Sequence, residues 1–103
     1  MGNGERVETT EVVQLQFTKQ AIDDLVRLRE FIAEKNPEAA KKISEQLIES
    51  IQRLTDQPEI GHGVESLPGV REWIARDYVV HYVVLNDTLI ILQIWHGRED
   101  REQ

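Results

Sequence analysis

The spacing of apolar residues changes twice along the chain, and each change marks a different kind of secondary structure. Apolar and polar residues alternate from Val13 to Phe17, which predicts a half-buried β-strand. From there to about residue 56, apolar residues recur at spacings of three and four, the period of an α-helix with one buried face. After Gly69 the chain is dense in β-branched and aromatic residues, which favours strands.

The helical region divides at Asn36-Pro37, a pair that ends one helix and begins the next. Asn caps a helix through its side-chain oxygen, and Pro is favoured at the first helical position because its missing amide is not needed there. Thr18 is placed to cap the first helix in the same way. We expect helices from Thr18 to about Lys35 and from Pro37 to about Asp56, joined as an antiparallel hairpin. Their apolar stripes are Ala21, Leu25, Leu28 and Ile32, then Ala40, Ile43, Leu47, Ile51 and Leu54.

The block after Gly69 predicts three antiparallel strands separated by two tight turns. The polar pairs at residues 76–77 and 86–87 divide the block at the spacing of β-hairpins. Two helices can cover only one face of the resulting four-stranded sheet. The predicted fold is therefore α+β with the order β-α-α-β-β-β, a helical hairpin packed on one face of a small, mainly antiparallel sheet. The expected strands are residues 12–17, 70–75, 78–85 and 89–96.

The last two strands are apolar on both faces, although an antiparallel sheet with one wet face usually alternates apolar and polar residues. Strict alternation along the last strand puts Leu89, Ile91 and Trp95 on a shared face. Either the N-terminal segment or a partner protein must cover the face that the helices leave bare. We expect a partner to bind there, in contact with Trp73, Leu89, Ile91, Trp95 and Arg98.

Composition narrows the class of protein. The chain has 103 residues, which is the size of one domain, and a formal net charge of −7. That charge argues against strong direct binding of DNA, whose phosphates are normally met by a basic face. The chain has no cysteine, and its apolar runs are far shorter than the ~20 residues of a membrane span. We expect a cytoplasmic protein with a flexible segment at residues 1–11, a single domain at residues 12–103 and no association with a membrane.

Few residues are candidates for chemistry. His81, in the middle of a strand, and His96, at the end of the last strand, are of the type that transfers protons near neutral pH. Histidine spacing matches no metal-binding motif, so we expect no metal and no cofactor. Arg71 is suited either to hold a phosphate or carboxylate or to form a structural ion pair with Glu99 or Asp100.

Several pieces of the sequence, taken in order, form a specific pattern. They are Phe17-Thr18-x-x-Ala21-x-x-Asp24-Leu25, Asn36-Pro37-x-Ala39-Ala40, Leu54 with Pro58-x-x-Gly61, Pro68-Gly69-Val70-Arg71-Glu72, Tyr78-Val79-Val80-x-Tyr82 and Ile94-x-His96-Gly97-Arg98-x-Asp100. Together they cover most of the chain and resemble the RelE/ParE superfamily of toxins from type II toxin–antitoxin systems. The fold that this resemblance implies is the β-α-α-β-β-β arrangement.

The superfamily that the chain resembles contains two activities. RelE-like members are ribosome-dependent mRNA endonucleases that hold phosphate with Lys and Arg and transfer protons with Tyr or His, whereas ParE-like members poison DNA gyrase. This chain has Val79 where the nuclease branch has a catalytic Arg, and Val70 and Glu72 where that branch places lysines. Loss of such charge-stabilising groups slows phosphoryl transfer by orders of magnitude. The resemblance therefore implies the ParE-like branch and favours a protein that is not an enzyme.

The resemblance implies a toxin that binds and poisons DNA gyrase, inhibits growth, and is neutralised by a cognate antitoxin in a hetero-oligomer. The alternative that it leaves open is a RelE-like mRNA endonuclease, whose partners are the ribosome and mRNA. In that alternative the catalytic residues would be Arg71, His81, His96 and Arg98. A third hypothesis is a member of the family that has lost its toxicity.

Overall fold

The computed structural model describes residues 12 and 14–99, so the expectation of a flexible segment at residues 1–11 lies outside the described residues. The described helices include none that is long and apolar enough to cross a membrane. In chain order the elements are β1 (Gln14–Phe17), α1 (Lys19–Lys35), α2 (Pro37–Arg53), β2 (His62–Val64), β3 (Leu67–Ala75), β4 (Tyr78–Leu85) and β5 (Thr88–His96).

Both helices begin at the residues that the sequence indicates. The hydroxyl oxygen of Thr18 accepts a hydrogen bond from the amide of Ala21 at 3.0 Å. The side-chain oxygen of Asn36 accepts one from the amide of Ala39 at 3.1 Å. Each cap satisfies an amide that the first helical turn leaves without a partner. Because Asn36 also ends α1, the two helices follow each other with one residue between them.

The sheet has five strands in the order β1-β5-β4-β3-β2, with β1 parallel to β5 and the other pairs antiparallel. The α+β fold and the helical hairpin on one face are as expected, but the expectation of four strands is wrong. Strand β2 lies outside the four expected strands, because its Gly63 and its short length carry no strand pattern. It forms because His62 and Gly63 pair with Glu72 and Arg71 along the free edge of β3.

A β-bulge lies between β4 and β5. His81 is opposite Gln93, but the next residue, Tyr82, is opposite Ile91, so Leu92 has no residue of β4 opposite it. One extra residue in a strand reverses the alternation of faces beyond it. The prediction of strict alternation along the last strand is therefore wrong.

The reversal separates residues that were expected to share a partner-binding face. Leu89 and Ile91 face the helices and are 0% exposed, and beyond the bulge Ile94 takes over that face. Trp95 points to the opposite face. Trp73 also packs against the core on the helix side. Leu89 and Ile91 are thus core residues, and the expectation that they contact a partner fails because their side chains do not reach the surface. Trp73 is partly buried.

Strand β5 is longer than its parallel neighbour β1, so its outer edge continues past the last pair, Phe17 and Ile91. Backbone groups on a buried edge need other partners, because an unpaired buried amide or carbonyl is costly. Helix α1 and its N-cap residue, Thr18, supply these partners. The hydroxyl of Thr18 donates to the carbonyl of Leu92 at 3.0 Å, and its amide donates to the carbonyl of Ile91 at 3.0 Å.

Asp24 is completely buried and satisfies the next part of this edge. One carboxylate oxygen accepts from the amide of Ile94 at 2.8 Å, and the other accepts from Gln20 at 2.9 Å and from Arg27. Arg27 also donates to the carbonyl of Ile94 at 3.0 Å and to the two oxygens of Glu99 at 2.8 and 3.1 Å. The hydrogen bond to Glu99 raises the pKa of Arg27. A buried charge with this many partners stabilises one arrangement of α1 on β5.

Candidate functional site

Arg71 lies on the helix side of β3 and holds a loop in place. Its Nη1 donates to the carbonyl of Gly61 at 2.6 Å and to the carbonyl of Glu59 at 3.3 Å. The expected ion pair between Arg71 and Glu99 does not form, because the carboxylate of Glu99 is bound by Arg27. The alternative partner, Asp100, lies outside the described residues. Arg71 thus has a structural role, because its Nη1 is bound to the carbonyls of Glu59 and Gly61.

The loop that Arg71 contacts is also fixed by Tyr82. The buried hydroxyl of Tyr82 donates to the carbonyl of Pro58 at 2.7 Å and accepts from the amide of Gly61 at 3.0 Å. A Cβ at Gly61 would lie 2.7 Å from that hydroxyl oxygen, so any larger residue would displace the buried Tyr82 side chain. Burial raises the pKa of Tyr82, and the amide of Gly61 partly opposes the rise.

His81 lies on the face of the sheet opposite the helices, which we call the outer sheet face. This face carries alternate residues of the three long strands, among them Glu72, Ile74, Val79, His81, Val83, Leu85, Ile90 and Trp95.

The ring of His81 is held between two neighbours on this face. Its Nε2 is 2.9 Å from a carboxylate oxygen of Glu72, and the ring of Trp95 meets it edge-on with centroids 4.8 Å apart. Because a carboxylate only accepts, we infer that Nε2 carries the hydrogen. His81 is 7% exposed, and its Nδ1 is buried without a hydrogen-bond partner among the described residues.

His96 and Arg98 lie on the helix side, at the end of the sheet near the β3–β4 turn. The His96 ring is 5.5 Å from the ring of Phe31 and 5.0 Å from that of Tyr78, between centroids. Its Nδ1 accepts from the amide of Arg98 at 2.9 Å. Both residues line a cavity of about 640 Å³ between the end of α1, the start of α2 and the β3–β4 turn.

The four candidate catalytic residues do not meet in one place. His81 is on the outer sheet face, whereas Arg71 and His96 are on the helix side. Arg71 is opposite Tyr82, and His96 is opposite Tyr78, which lies four residues before Tyr82 in β4. At about 3.3 Å per residue, this separation is about 13 Å along the strand. Within the described part of the chain, no group of three or more His, Asp or Glu residues is arranged to hold a metal ion.

Sequence reasoning missed two functional features of this region. Asp24 and Arg27 stand at helical spacing of three, a visible signal, but Glu99, the second carboxylate that binds Arg27, is 72 residues from Arg27 and gives no local sign. The cavity beside His96 was also missed, because Lys35 and Arg76, which line it, come from distant parts of the chain.

Comparison with known proteins finds a matching family and a similar protein, and both are described as toxins. Residues 15–101 match the family described as ParE toxin of type II toxin-antitoxin system, parDE. Toxin RelE1 of Caulobacter vibrioides is 32% identical over 82 residues, which cover 76% of this chain and 86% of the relative.

Two solved structures support the fold. The chromosomal ParDE system from P. aeruginosa is similar with a TM-score of 0.73 and 23% identity, over 85% of this chain and 98% of that one. The intact E. coli RelBE toxin-antitoxin complex is similar with a TM-score of 0.61 and 15% identity, over 84% of this chain and 98% of that one.

Proposed function

The chain belongs to the ParE toxin family of type II toxin–antitoxin systems, and from this membership we propose that it binds and poisons DNA gyrase and does not cut RNA. It is a type II toxin of the RelE/ParE superfamily. The names of its relatives come from both branches of the superfamily, so the choice of target depends on the arrangement of charge in this chain. The proposal implies action in the cytoplasm, where the chromosome lies.

The observation that carries the proposal is the absence of gathered cations on the outer sheet face. Among the described residues of this face there is no Lys or Arg, and the carboxylate of Glu72 lies beside His81. Val79 stands where a nuclease of the family would place its Arg. Stabilising a transferring phosphoryl group requires preorganised positive charge, and a carboxylate at that position opposes it. This arrangement supports binding over phosphoryl transfer.

The antitoxin is the second part of the proposal. The P. aeruginosa and E. coli structures are named as toxin–antitoxin assemblies, which supports an antitoxin for this chain. We place its contact on the outer sheet face, where Ile74 and Leu85 are 60% and 58% exposed at opposite ends of the sheet. Trp95 lies at the same end as Ile74, because both residues are opposite Val79. Apolar side chains exposed along one face favour a protein-binding surface there. Of the residues expected to contact a partner, Trp95 lies on this face and Arg98 at the cavity on the other side.

The test of the target compares two reactions with one toxin preparation. Purified toxin is added to DNA gyrase with plasmid, and separately to translating ribosomes with a defined mRNA. We expect inhibition of supercoiling and accumulation of cleaved plasmid, with the mRNA intact. His81→Ala and His96→Ala should keep the effect on gyrase if it depends on binding. Cut mRNA that disappears in His96→Ala would contradict the proposal, and absence of any growth effect on expression would support a non-toxic member.

A RelE-like mRNA endonuclease is the second candidate function, and one observation favours it. His96 is flanked by cations at its cavity, Arg76 and Arg98, so a proton-transfer group and positive charge are present on the helix side. The other two candidate catalytic residues, Arg71 and His81, are remote from this cavity. The ribosome assay with His96→Ala distinguishes the two functions.

A further inference from the structure

The cavity beside His96, which we call the rim cavity, has an apolar interior. Its walls include Phe31 and Ile43 from the two helices and Tyr78 from β4. Its volume of about 640 Å³ lies in the range of ~300–1,000 Å³ that is usual for sites that enclose a small molecule. The rim cavity is therefore large enough to enclose a bulky apolar side chain.

One wall of the rim cavity offers a hydrogen-bond donor. Because the amide of Arg98 donates to Nδ1 of His96, the neutral ring carries its hydrogen on Nε2. Nε2 has no hydrogen-bond partner within the described chain. A ligand that brings an acceptor, such as a carboxylate or a peptide carbonyl, would satisfy it.

The edge of the rim cavity is positively charged, although the protein as a whole carries a net charge of −7. Lys35 at the end of α1, Arg76 in the β3–β4 turn and Arg98 after β5 line it, and Asp77 is the single acid among the lining residues. None of the three cations forms an ion pair within residues 14–99. Lys35 lies over the ring of Phe31 at 5.8 Å, which leaves its charge near the apolar interior. An apolar interior with a cationic edge is complementary to an acidic, amphipathic peptide.

We propose that the rim cavity anchors an acidic segment of the antitoxin, which inserts one bulky apolar side chain against Phe31 and Tyr78. The acids of this segment face Arg76, Arg98 and Lys35. The identity of the partner rests on the proposed function. The position fits a chain that also covers the outer sheet face, because exposed Ile74 of that face is two residues from Arg76 at the β3–β4 turn.

Two contacts joined by one polypeptide bind more tightly than either alone, because the second contact forms at high effective concentration. The rim cavity would then be one of two anchors of the antitoxin, with the outer sheet face as the other. An apolar interior favours a peptide over RNA here, since a nucleic acid would use the cations and leave the interior walls unfilled. Binding of RNA at this site is therefore an outcome that counts against the proposal.

The test measures the affinity of the toxin for the protein encoded by the adjacent reading frame, by isothermal titration calorimetry. The toxin variant carries Arg76→Glu and Arg98→Glu, and the control carries Lys41→Glu and Lys42→Glu, an equal change of charge on the exposed surface of α2. We expect at least tenfold weaker binding for the first and less than a threefold change for the second. In the antitoxin, each Asp or Glu is replaced by Lys, one at a time. One of these antitoxin variants should bind the Arg98→Glu toxin more tightly than the unchanged antitoxin does.

A second variant tests the apolar anchor without changing charge. Ala39→Phe adds a ring at the wall of the rim cavity and should also weaken binding at least tenfold, while circular dichroism checks that both variants are folded. Unchanged affinity for the antitoxin in the folded variants overturns the proposal. So does an Arg98→Glu toxin that binds a single-stranded RNA oligomer less tightly than the wild type but binds the antitoxin equally well. The gyrase assay on the same proteins is read separately, so failure of gyrase as the target leaves this result interpretable.

Discussion

Removing the carboxylate of Asp24 tests whether α1 holds the outer edge of β5. Asp24→Ala leaves the amide of Ile94 buried without its partner, which costs about 1–3 kcal/mol. It also removes one contact of Arg27, whose side chain is 36% exposed and keeps Glu99, so this loss is worth about 0.2–1 kcal/mol. We expect the free energy of unfolding to fall by about 1–4 kcal/mol in total.

The assay is equilibrium unfolding in urea, followed by circular dichroism and supported by thermal unfolding. A domain of this size loses about 4–8 °C in melting temperature per kcal/mol, so Asp24→Ala should melt at least about 4 °C lower. Asp23→Ala is the matched control, because Asp23 forms an exposed ion pair with Lys19 at 3.2 Å. It should change the free energy of unfolding by less than about 1 kcal/mol. Equal losses in the two variants would refute the role assigned to α1.

Three further predictions concern other parts of the fold. Burial raises the pKa of Tyr78 and Tyr82, so these side chains ionise at lower pH in the unfolded chain than in the folded one. The stability of the fold should therefore be unaffected by these groups below pH 10.0 and should fall as the pH rises above it. An alkaline titration that follows tyrosinate absorbance and circular dichroism measures both changes. Gly61→Ala forces a Cβ to 2.7 Å from the Tyr82 hydroxyl and should cost about 1–3 kcal/mol in urea unfolding. Ile91→Ala should lower the free energy of unfolding by about 2–5 kcal/mol, because the side chain is 0% exposed. Leu85→Asp changes an exposed side chain, so it should change that free energy by less than about 0.5 kcal/mol and should weaken antitoxin binding measured by calorimetry.

The helices and the two long hairpin strands could be predicted because their signals are local. The cap residues Thr18 and Asn36 mark helix starts by their own side-chain chemistry, and the structure has both bonds. Strand β4 runs over the residues expected, Tyr78 to Leu85, because polar pairs flank a β-branched run. These features depend on residues within a few positions of each other.

The features that sequence reasoning missed depend on residues far apart in the chain. Strand β2 forms only because β3 offers it an edge, and His62 and Gly63 carry no pattern of their own. The bulge at Leu92 has no distinctive residue, yet it moves Trp95 to the face opposite Leu89. Because the prediction lacked this one extra residue, it placed the core residues Leu89 and Ile91 on the expected partner surface.

The candidate site shows the same limit. The sequence could select His96 and Arg98 as neighbours, since they are two residues apart. It could not indicate that Lys35 and Arg76 line the same cavity, because the fold alone brings the end of α1 to the β3–β4 turn. Nor could it indicate that the guanidinium of Arg71 would donate a hydrogen bond to the carbonyl of Gly61.

The most direct test of the central claim is a supercoiling assay with purified DNA gyrase and equal amounts of wild-type toxin and the double variant His81→Ala and His96→Ala. A toxin that acts by binding should inhibit gyrase and accumulate cleaved plasmid in both forms, because neither histidine would be needed for chemistry. Unimpaired supercoiling with the wild type, together with cutting of ribosome-bound mRNA that the double variant lacks, would contradict it.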